Sequence, residues 1–479
     1  MLTLPLLERR LWAAAEALRG AIDASDYRGL ILGALFLKRL SDVFDEEARA
    51  GRAHDFTVPH AARWATLAGA SARVGEAMVR ACAEVERANP SLAGILTGIA
   101  WDSHHRLGPP AQRDRALRGL LAALDALPLG NASLAEPDIL GRAYEYLIAR
   151  FADDAGRKGG EFYTPRTVVQ LLVALLDPRE AMRVCDPTCG SGGMLVEVAA
   201  HLRATGVDPA RVTLHGQEKN AATWAICRMN LLLHGLAAAR VEQGDTIRAP
   251  KLLRGDALER YDRVIANPPF SLSDWGREAA AGDRWGRFRY GLPPRGRGDL
   301  AFVQHMLATL DAGGAAAVVL PQGALFRGGA EAAVRRGMLG DDLVDAVIAL
   351  PHNLFHGTPI PAAVLLLRRD RPTARAGRVR FVDASTLHGA GVRQNHLRPN
   401  DIARIVEAVR GEADLPGLAR SVPVVEVARG DASLAAGRWV GVAPASTRDE
   451  LATALASLDA SARARDDAER AMRNALAGM

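Results

Sequence analysis

Over the middle of the chain, short apolar runs alternate with helix-length segments, and this alternation constrains the fold more than any other feature. Seven runs are predicted as strands, at residues 183–185, 212–216, 239–242, 263–266, 315–320, 344–349 and 362–367. Strands joined by helical crossovers form parallel sheets covered on both faces, so we predict an α/β fold with a largely parallel sheet. Only residues 350–361 separate the last two runs, too few for a helical crossover, so these two should pair antiparallel at one edge.

Helical periodicity dominates the N-terminal third. From Leu7 to about Arg150, apolar residues recur at three- and four-residue spacing, which predicts a helical domain. The polar, glycine-bearing segment 153–160 is a natural hinge. We therefore expect a helical domain at 1–154 and a catalytic α/β domain at 155–390.

A C-terminal helical region is expected at 391–479. Its predicted elements are a helix at 401–409, an extended piece at 422–427 and a polar helix at 447–476. The apolar stripe of the last helix is narrow and interrupted, so it suits packing on its own domain and docking on a partner's helix about equally.

Composition and charge exclude some classes of protein and leave others open. Hydrophobic residues make up 49% of the 479 residues and charged residues 24%, which is ordinary globular composition. The net charge of +5 is compatible with a polyanionic partner, but only four of the 60 basic residues are lysines. Such arginine usage reflects a GC-rich genome, so the arginine count is no evidence for DNA binding.

Cysteine spacing and hydropathy give two further expectations. The four cysteines form no CxxC pair, so we expect reduced thiols in a cytoplasm and no metal site. The longest apolar runs fall well short of the roughly 20 residues that span a bilayer, so neither membrane insertion nor secretion is expected.

A glycine-rich loop follows the first predicted strand and opens a helix, the place where open α/β sheets bind nucleotide-like ligands. It comprises Asp186, Pro187, Thr188, Cys189, Gly190, Ser191, Gly192 and Gly193. The chain has no Gly-Lys-Ser/Thr sequence, so the loop is not built for a triphosphate. The leading carboxylate of Asp186 suits a ligand with an amino group, such as the amino acid end of S-adenosylmethionine.

Acidic residues also end the next two strands. Glu218 is placed to accept hydrogen bonds from two ribose hydroxyls, and Asp245 suits the adenine amino group of the same cofactor. Any one of these acids alone would more often be a solvated turn residue. Three at successive strand ends favour a cofactor site.

The sequence Asn267-Pro268-Pro269-Phe270 directly follows the fourth strand. The prolines remove two amide donors and hold carbonyls in place. The Asn267 side-chain oxygen and the Pro268 carbonyl can then accept the two hydrogens of an exocyclic amine, while Phe270 stacks on the base. The alternative, a proline turn with Phe270 in the core, is less favoured downstream of the cofactor series.

Together these residues resemble the gamma-order N6-adenine DNA methyltransferases, and more closely the modification (HsdM) subunits of type I restriction-modification systems. The resemblance extends to Leu11-Trp12, Asp299-Leu300-Ala301-Phe302 and Arg438-Trp439-Val440. It implies a class I methyltransferase fold and transfer of a methyl group from S-adenosylmethionine to a flipped adenine.

The resemblance also implies roles for residues outside these motifs. Glu161 and Thr164 would contact the methionine end of the cofactor, with Phe162 and Tyr163 between them in the same cofactor-binding element, and Phe355 would face Phe270 across the target base. His356 stands where the family commonly has a second aromatic and Pro359 where glycine is usual, so either Phe355 or His356 forms the opposite wall.

The family's division of labour implies partners. Two modification chains act on double-stranded DNA with one specificity subunit, and a separate motor-nuclease subunit is added for cleavage. The absence of a Walker A loop in this sequence agrees with that division. Two alternatives remain: a glutamine-modifying protein methyltransferase, and an inactive scaffold that binds DNA.

Overall fold

The computed structural model describes residues 2–18, 24–135, 139–155, 164–355, 360–391, 394–441, 463 and 465. The predicted polar helix at 447–476 lies outside these residues apart from 463 and 465. Glu161, Phe162, Tyr163, His356 and Pro359 also lie outside them. None of the described helices is long and apolar enough to cross a membrane.

The N-terminal part is helical, as predicted. Its helices are α1 (Leu4–Leu18), α2 (Ala24–Arg49), α3 (Trp64–Ala68), α4 (Val74–Ala88), α5 (His104–Leu107), α6 (Pro110–Asp125) and α7 (Ile139–Ala155). Helical spacing of apolar residues places one face of each long helix in a common core, as with Leu117, Leu120 and Leu124 of α6. Proline at the first position of α6 costs no hydrogen bond there.

The described residues form a nine-stranded sheet and a small hairpin. The strands are β1 (Arg183–Asp186), β2 (Thr213–Glu218), β3 (Arg240–Gln243), β4 (Leu253–Arg254), β5 (Ala257–Leu258), β6 (Tyr261–Ala266), β7 (Leu310–Pro321), β8 (Val344–Ala349), β9 (Ala362–Arg368), β10 (Arg378–Asp383) and β11 (Ala419–Pro423). The sheet order is β11-β10-β8-β9-β7-β6-β1-β2-β3, and β4 pairs with β5 separately. All seven predicted strands are present.

Helices cover both faces of the sheet. They are α8 (Arg166–Leu176), α9 (Gly193–Ala204), α10 (Ala221–Leu233), α11 (Arg277–Ala281), α12 (Asp299–Thr309), α13 (Ala330–Gly340), α14 (Pro399–Arg410), α15 (Val424–Arg429) and α16 (Ala436–Trp439). Neighbouring strand residues point to opposite faces: Ile265 packs with α8, α9 and α14, whereas Val264 packs with α12 and α13. The prediction of a largely parallel sheet covered on both faces is therefore confirmed.

The hairpin of β8 and β9 is antiparallel as predicted, but its expected position at the edge was wrong. Strand β9 lies between β7 and β8, and β10 then pairs parallel with β8. Buried Val379, Phe381 and Val382 contact the cores on the two faces, so β10 is a covered strand that extends the sheet.

The sheet also continues past residue 390, where the catalytic domain was expected to end. Strand β11 pairs antiparallel with β10, so the extended piece expected at 422–427 lies instead at Ala419–Pro423. Residues 424–429 are helical: α15 begins after Pro423, and its buried Val427 belongs to the hydrophobic core on one face of the sheet.

The helical part packs directly on the sheet part. Ile226 and Met229 of α10 belong to the N-terminal hydrophobic core, and Arg228 donates a hydrogen bond to the Ser91 carbonyl (3.2 Å). Helix α10 follows β2, so the N-terminal helices lie beside the carboxyl edge of the sheet, where the predicted site residues are.

Candidate active site

The carboxyl ends of four adjacent strands, β6, β1, β2 and β3, lie at one edge of the sheet because these strands pair parallel. A cleft of about 550 Å³ opens there. Predicted residues that line it are Pro187, Thr188, Gly190, Ser191, Glu218, Asp245, Asn267 and Pro269. A second cavity of about 70 Å³ brings Thr164, Asp186, Gly193 and Asn267 together with Gly190. Asn267 and Pro269 of the Asn-Pro-Pro-Phe turn thus face the same space as the glycine loop, whereas Pro268 and Phe270 line neither of these two cavities.

The glycine loop needs its glycines at two positions for different reasons. Gly190 has φ +52° and Gly192 has φ +85°, conformations that residues with a Cβ adopt at a cost. A Cβ on Gly192 would also lie 2.9 Å from the Cys227 Sγ, whereas one on Gly190 would meet no protein atom within 4 Å. Gly190 therefore leaves open space beside the backbone, on the side where a ligand can approach.

Asp186 is a buried carboxylate, 1% exposed. Its Oδ1 accepts a hydrogen bond from the Thr188 amide (3.0 Å), and no basic side chain in the described part of the chain forms an ion pair with it. Burial raises the pKa of Asp186 to about 8, with the Thr188 amide opposing and the charge of Glu218 adding to the rise. A buried acid of this kind fits a ligand that brings an ammonium group.

Glu218 and Asp245, in contrast, already hold the loops around them. The two Glu218 oxygens accept from the amides of Gly190 (3.0 Å) and Asn220 (2.7 Å). Asp245 accepts from the Arg248 amide (2.9 Å) and pairs with the Lys219 Nζ (3.0 Å) and the Arg248 guanidinium (3.0 Å). Burial opposes ionisation, but these partners lower the pKa of Asp245.

Asn267 stands directly after β6 with its amide group fixed. Its Nδ2 donates to the Thr164 Oγ1 (2.8 Å). Its Oδ1 is buried and accepts no hydrogen bond from the residues that the structure describes. Because a buried acceptor without a donor is costly, an oxygen held in this way is suited to receive a donor from a ligand.

Phe270 and Phe355 are neighbours, but not as two parallel walls. Their ring centroids lie 6.1 Å apart at an interplanar angle of 61°, so the rings touch edge to face. Phe355 is 5% exposed and part of the core. In this conformation no space for a base lies between the two rings.

Several cleft residues were not singled out from the sequence. Gln217, Lys219, Thr246, Trp275 and Phe302 line the cleft. Trp275 is 1% exposed and donates from Nε1 to the Pro294 carbonyl (2.9 Å). Only Phe302 carried a signal, since it lies in a stretch that resembles the type I family. Gln217 lies near the end of β2, and the others lie in loops with no regular spacing.

These residues fit S-adenosylmethionine in its three parts: a buried acid for the ammonium group, a glycine loop with open space, and apolar side chains of Trp275 and Phe302 for the base. Among the described residues, no cluster of His, Cys, Asp and Glu is arranged to hold a metal ion.

The strand order within the sheet defines the class. From β3 through β2, β1, β6, β7 and β9 to β8, six strands are parallel and β9 alone is antiparallel. With a glycine loop after β1 and acids after β1, β2 and β3, this is the fold of a class I S-adenosylmethionine-dependent methyltransferase.

Comparison with known proteins gives the family. A family model described as N-6 DNA Methylase matches residues 135–448, and one described as HsdM N-terminal domain matches residues 7–122. The chain is 31% identical, over 75% of its length, to the type I restriction enzyme HindI methylase subunit of Haemophilus influenzae, and the match covers 81% of that protein. It is 27% identical to the MjaIX methylase subunit of Methanocaldococcus jannaschii, over 91% of this chain and 84% of that protein.

A solved structure agrees with this assignment. The methyltransferase subunit of a type I restriction-modification system from Streptococcus thermophilus superposes with a TM-score of 0.81 at 28% identity, covering 92% of this chain and 100% of that one. The chain belongs to the N-6 DNA methylase family, as a modification (HsdM) subunit of the type I kind, and its activity is methyl transfer to the adenine N6 of DNA. This finding sets aside the protein-glutamine and inactive-scaffold alternatives.

Proposed function

We propose that the 550 Å³ cleft binds S-adenosylmethionine and that Asn267, Pro268, Pro269 and Phe270 hold the target adenine beside it. The observation that carries this proposal is that Asn267 lines the same cleft as the glycine loop while its buried Oδ1 accepts nothing from the described residues. When bound, the cofactor supplies an electrophilic methyl group. All other contributions come from the side chains and backbone of this chain.

The cofactor is held along the carboxyl edge of the sheet. Asp186 binds the ammonium group in the smaller cavity, where Thr164 and Gly190 also lie. Glu161, Phe162 and Tyr163 would complete this end. At the other end Glu218 accepts from the ribose hydroxyls and Asp245 from the adenine amino group. Pro187, Thr188, Ser191, Gly192 and Gly193 shape the loop between them.

The target amine is oriented by acceptors. Thr164 fixes the Asn267 amide through its Nδ2, which directs Oδ1 to one hydrogen of the adenine N6, and the Pro268 carbonyl accepts the other. With both hydrogens engaged, the nitrogen lone pair points toward the methyl group, so no general base with a shifted pKa is required. Phe270 stacks on the flipped base, with Phe355 or His356 opposite once the two phenylalanine rings separate.

We also propose the partners of a type I assembly: double-stranded DNA, one specificity subunit for two copies of this chain, and a motor-nuclease subunit, all in the cytoplasm. Support comes from the family and from relatives that are subunits of type I restriction enzymes. The segment after residue 441 would dock on the specificity subunit. A chain ending at residue 441 should lose co-purification with that subunit, and retention at full strength would contradict the docking role.

The site is tested by Asn267→Ala in the full chain, co-expressed with its specificity subunit. Transfer to DNA should fall at least about 10²- to 10³-fold, the scale on which single preorganised hydrogen-bonding groups act. Cofactor affinity, measured by calorimetry, should stay largely intact because the Asn267 side chain meets the base and not the cofactor. Asn131→Ala, in the N-terminal part, is the control and should keep full activity. Normal turnover in Asn267→Ala would overturn the assignment.

A further inference from the structure

The turn that follows the Asn-Pro-Pro-Phe sequence is held in an unfavourable conformation. Ser271, the next residue, has φ +51°, in the left-handed region that L side chains adopt at a cost. Two hydrogen bonds tie this turn to the start of α12: the Ser271 amide donates to the Asp299 Oδ1 (2.7 Å), and the Gly298 amide donates to the Leu272 carbonyl (3.1 Å). The geometry of the catalytic turn therefore depends on residues 298–299.

Asp299 is itself fixed on both oxygens. It is 1% exposed, and its Oδ2 accepts from the Arg327 Nη2 (3.1 Å). Arg327 also pairs with buried Glu331 through Nε (2.7 Å) and Nη2 (2.9 Å). Both Asp299 oxygens accept hydrogen bonds, and Arg327 is itself held by Glu331. The Asp299 carboxylate is therefore held in one orientation.

A neutral acceptor would bind the Ser271 amide at a smaller desolvation cost than a buried carboxylate. Burial indeed raises the pKa of Asp299, with the Ser271 amide and Arg327 opposing the rise. What the carboxylate adds is a stronger, shorter hydrogen bond to the amide and a second attachment to Arg327. Both properties serve placement of the turn.

The same helix end also shapes the cleft. Phe302, one turn further along α12, lines the cleft together with Leu272 and Trp275, and a Cβ on Gly298 would lie 2.5 Å from the Trp275 side chain. The start of α12 is therefore tightly packed between the catalytic turn and the cleft wall.

We propose that Asp299 is a positioning residue for methyl transfer: through the Ser271 amide it sets where the Pro268 carbonyl and the Phe270 ring stand relative to the target adenine. This inference rests on the proposed roles of residues 267–270. A displacement of about 1 Å at reacting groups can cost about 100-fold in rate, so the effect falls on kcat. The cofactor, held by the glycine loop and Asp186, should bind as before.

The experiment compares two Asp299 variants with control variants, all in the full chain with its specificity subunit. Asp299→Ala removes both attachments, and kcat should fall about 100-fold with cofactor KM unchanged. Asp299→Asn keeps an oxygen for the Ser271 amide but loses the charge toward Arg327, so kcat should recover to about tenfold below wild type. If Asp299→Ala does not fold, Asp299→Asn still tests the role through its two kinetic parameters: a lowered kcat with unchanged cofactor KM supports it, and a rise in cofactor KM that accounts for the whole loss of activity would overturn it.

Asp262→Ala is the matched control. The Asp262 carboxylate accepts a backbone amide, that of Arg183 (2.7 Å), at the opposite end of β6, so its loss removes a similar anchor far from the cleft. The kcat of Asp262→Ala should stay at the wild-type value. If it fell as far as the kcat of Asp299→Ala, the effect of Asp299 would be a general structural one and the positioning role would be wrong. A wild-type kcat in Asp299→Ala, or a rise in cofactor KM that matches the fall in kcat, would also overturn the proposal.

Asn267→Ala, run alongside, separates the two claims. If Asn267→Ala is inactive and Asp299→Ala is fully active, only the positioning role fails. If Asn267→Ala is itself active, the assignment of the catalytic turn fails instead.

Discussion

The two ends of the cofactor cleft differ in how their polar groups are partnered. At the end near the catalytic turn, buried Asp186 has no cationic partner and Asn267 Oδ1 no donor among the described residues. At the other end, Asp245 has Lys219, Arg248 and two amides around it. At the first end the polar groups need a ligand to complete their interactions, whereas at the second end the carboxylate already has partners from the protein. Polar groups at the two ends should therefore contribute unequally to binding, although the sequence presents both as acids after strands.

The largest effect on cofactor binding is expected at Asp186. Asp186→Asn keeps the shape of the side chain and its hydrogen bond from the Thr188 amide but removes the negative charge, so affinity for S-adenosylmethionine should fall about 10- to 100-fold, the worth of one hydrogen bond to a charged group. Calorimetry on the full chain measures this directly. Unchanged affinity would show that the ammonium group binds elsewhere.

The pH dependence of binding should follow the same group. The pKa of Asp186 is raised to about 8 in the ligand-free protein, so between its ordinary range and pH 8 the folded protein holds a proton that binding of an ammonium group must release. Affinity should tighten by up to about tenfold per pH unit from pH 6 to 7 and level off near pH 8. Titrations in buffers of different ionisation enthalpy would reveal the released proton.

The Asp186→Asn variant is the control for that titration, because it cannot lose the proton. Its affinity should be nearly flat over the same range. The linkage has a second consequence: since folding raises this pKa, the contribution of Asp186 to the stability of the ligand-free chain should decline as pH rises from about 4 toward 8. A stability that increased over this window because of Asp186 would contradict the assignment.

The smallest effect is expected at Asp245. Asp245→Asn should weaken cofactor binding by less than about fivefold, since partly exposed ion pairs such as that with Lys219 contribute little. Its lowered pKa keeps Asp245 ionised above pH 6, so the pH profile should keep its wild-type shape. A loss as large as that of Asp186→Asn would remove the difference between the two ends.

Much of the fold follows from local pattern. Strand and helix periodicities are set by side-chain direction within a few residues. The sequence could therefore predict the seven strands, the helical N-terminal part and the glycine loop. The site residues after β1, β2, β3 and β6 were readable for a related reason: in a parallel sheet, the residues that follow strands meet at one edge whatever the strand order.

The pairing of strands across the sheet was harder to predict from the sequence. Strand β10 and the shift of the extended piece to Ala419–Pro423 depend on which edge remains open after β9 inserts between β7 and β8. No spacing within residues 378–383 specifies that neighbour. Long-range pairing is chosen by burial on both faces at once, which involves helices far away in sequence.

By itself, then, the sequence determined the class of fold, the cleft edge and the Asn-Pro-Pro-Phe turn, because each depends on residue type and short-range spacing. Only the tertiary structure decided which polar groups lack a partner. Asp186, Glu218 and Asp245 are alike as acids at strand ends. In the folded chain Asp186 accepts from one backbone amide and Glu218 from two, whereas Asp245 has two amides and the cations of Lys219 and Arg248. Electrostatic partnering depends on distances across the folded chain, so sequence spacing cannot supply it.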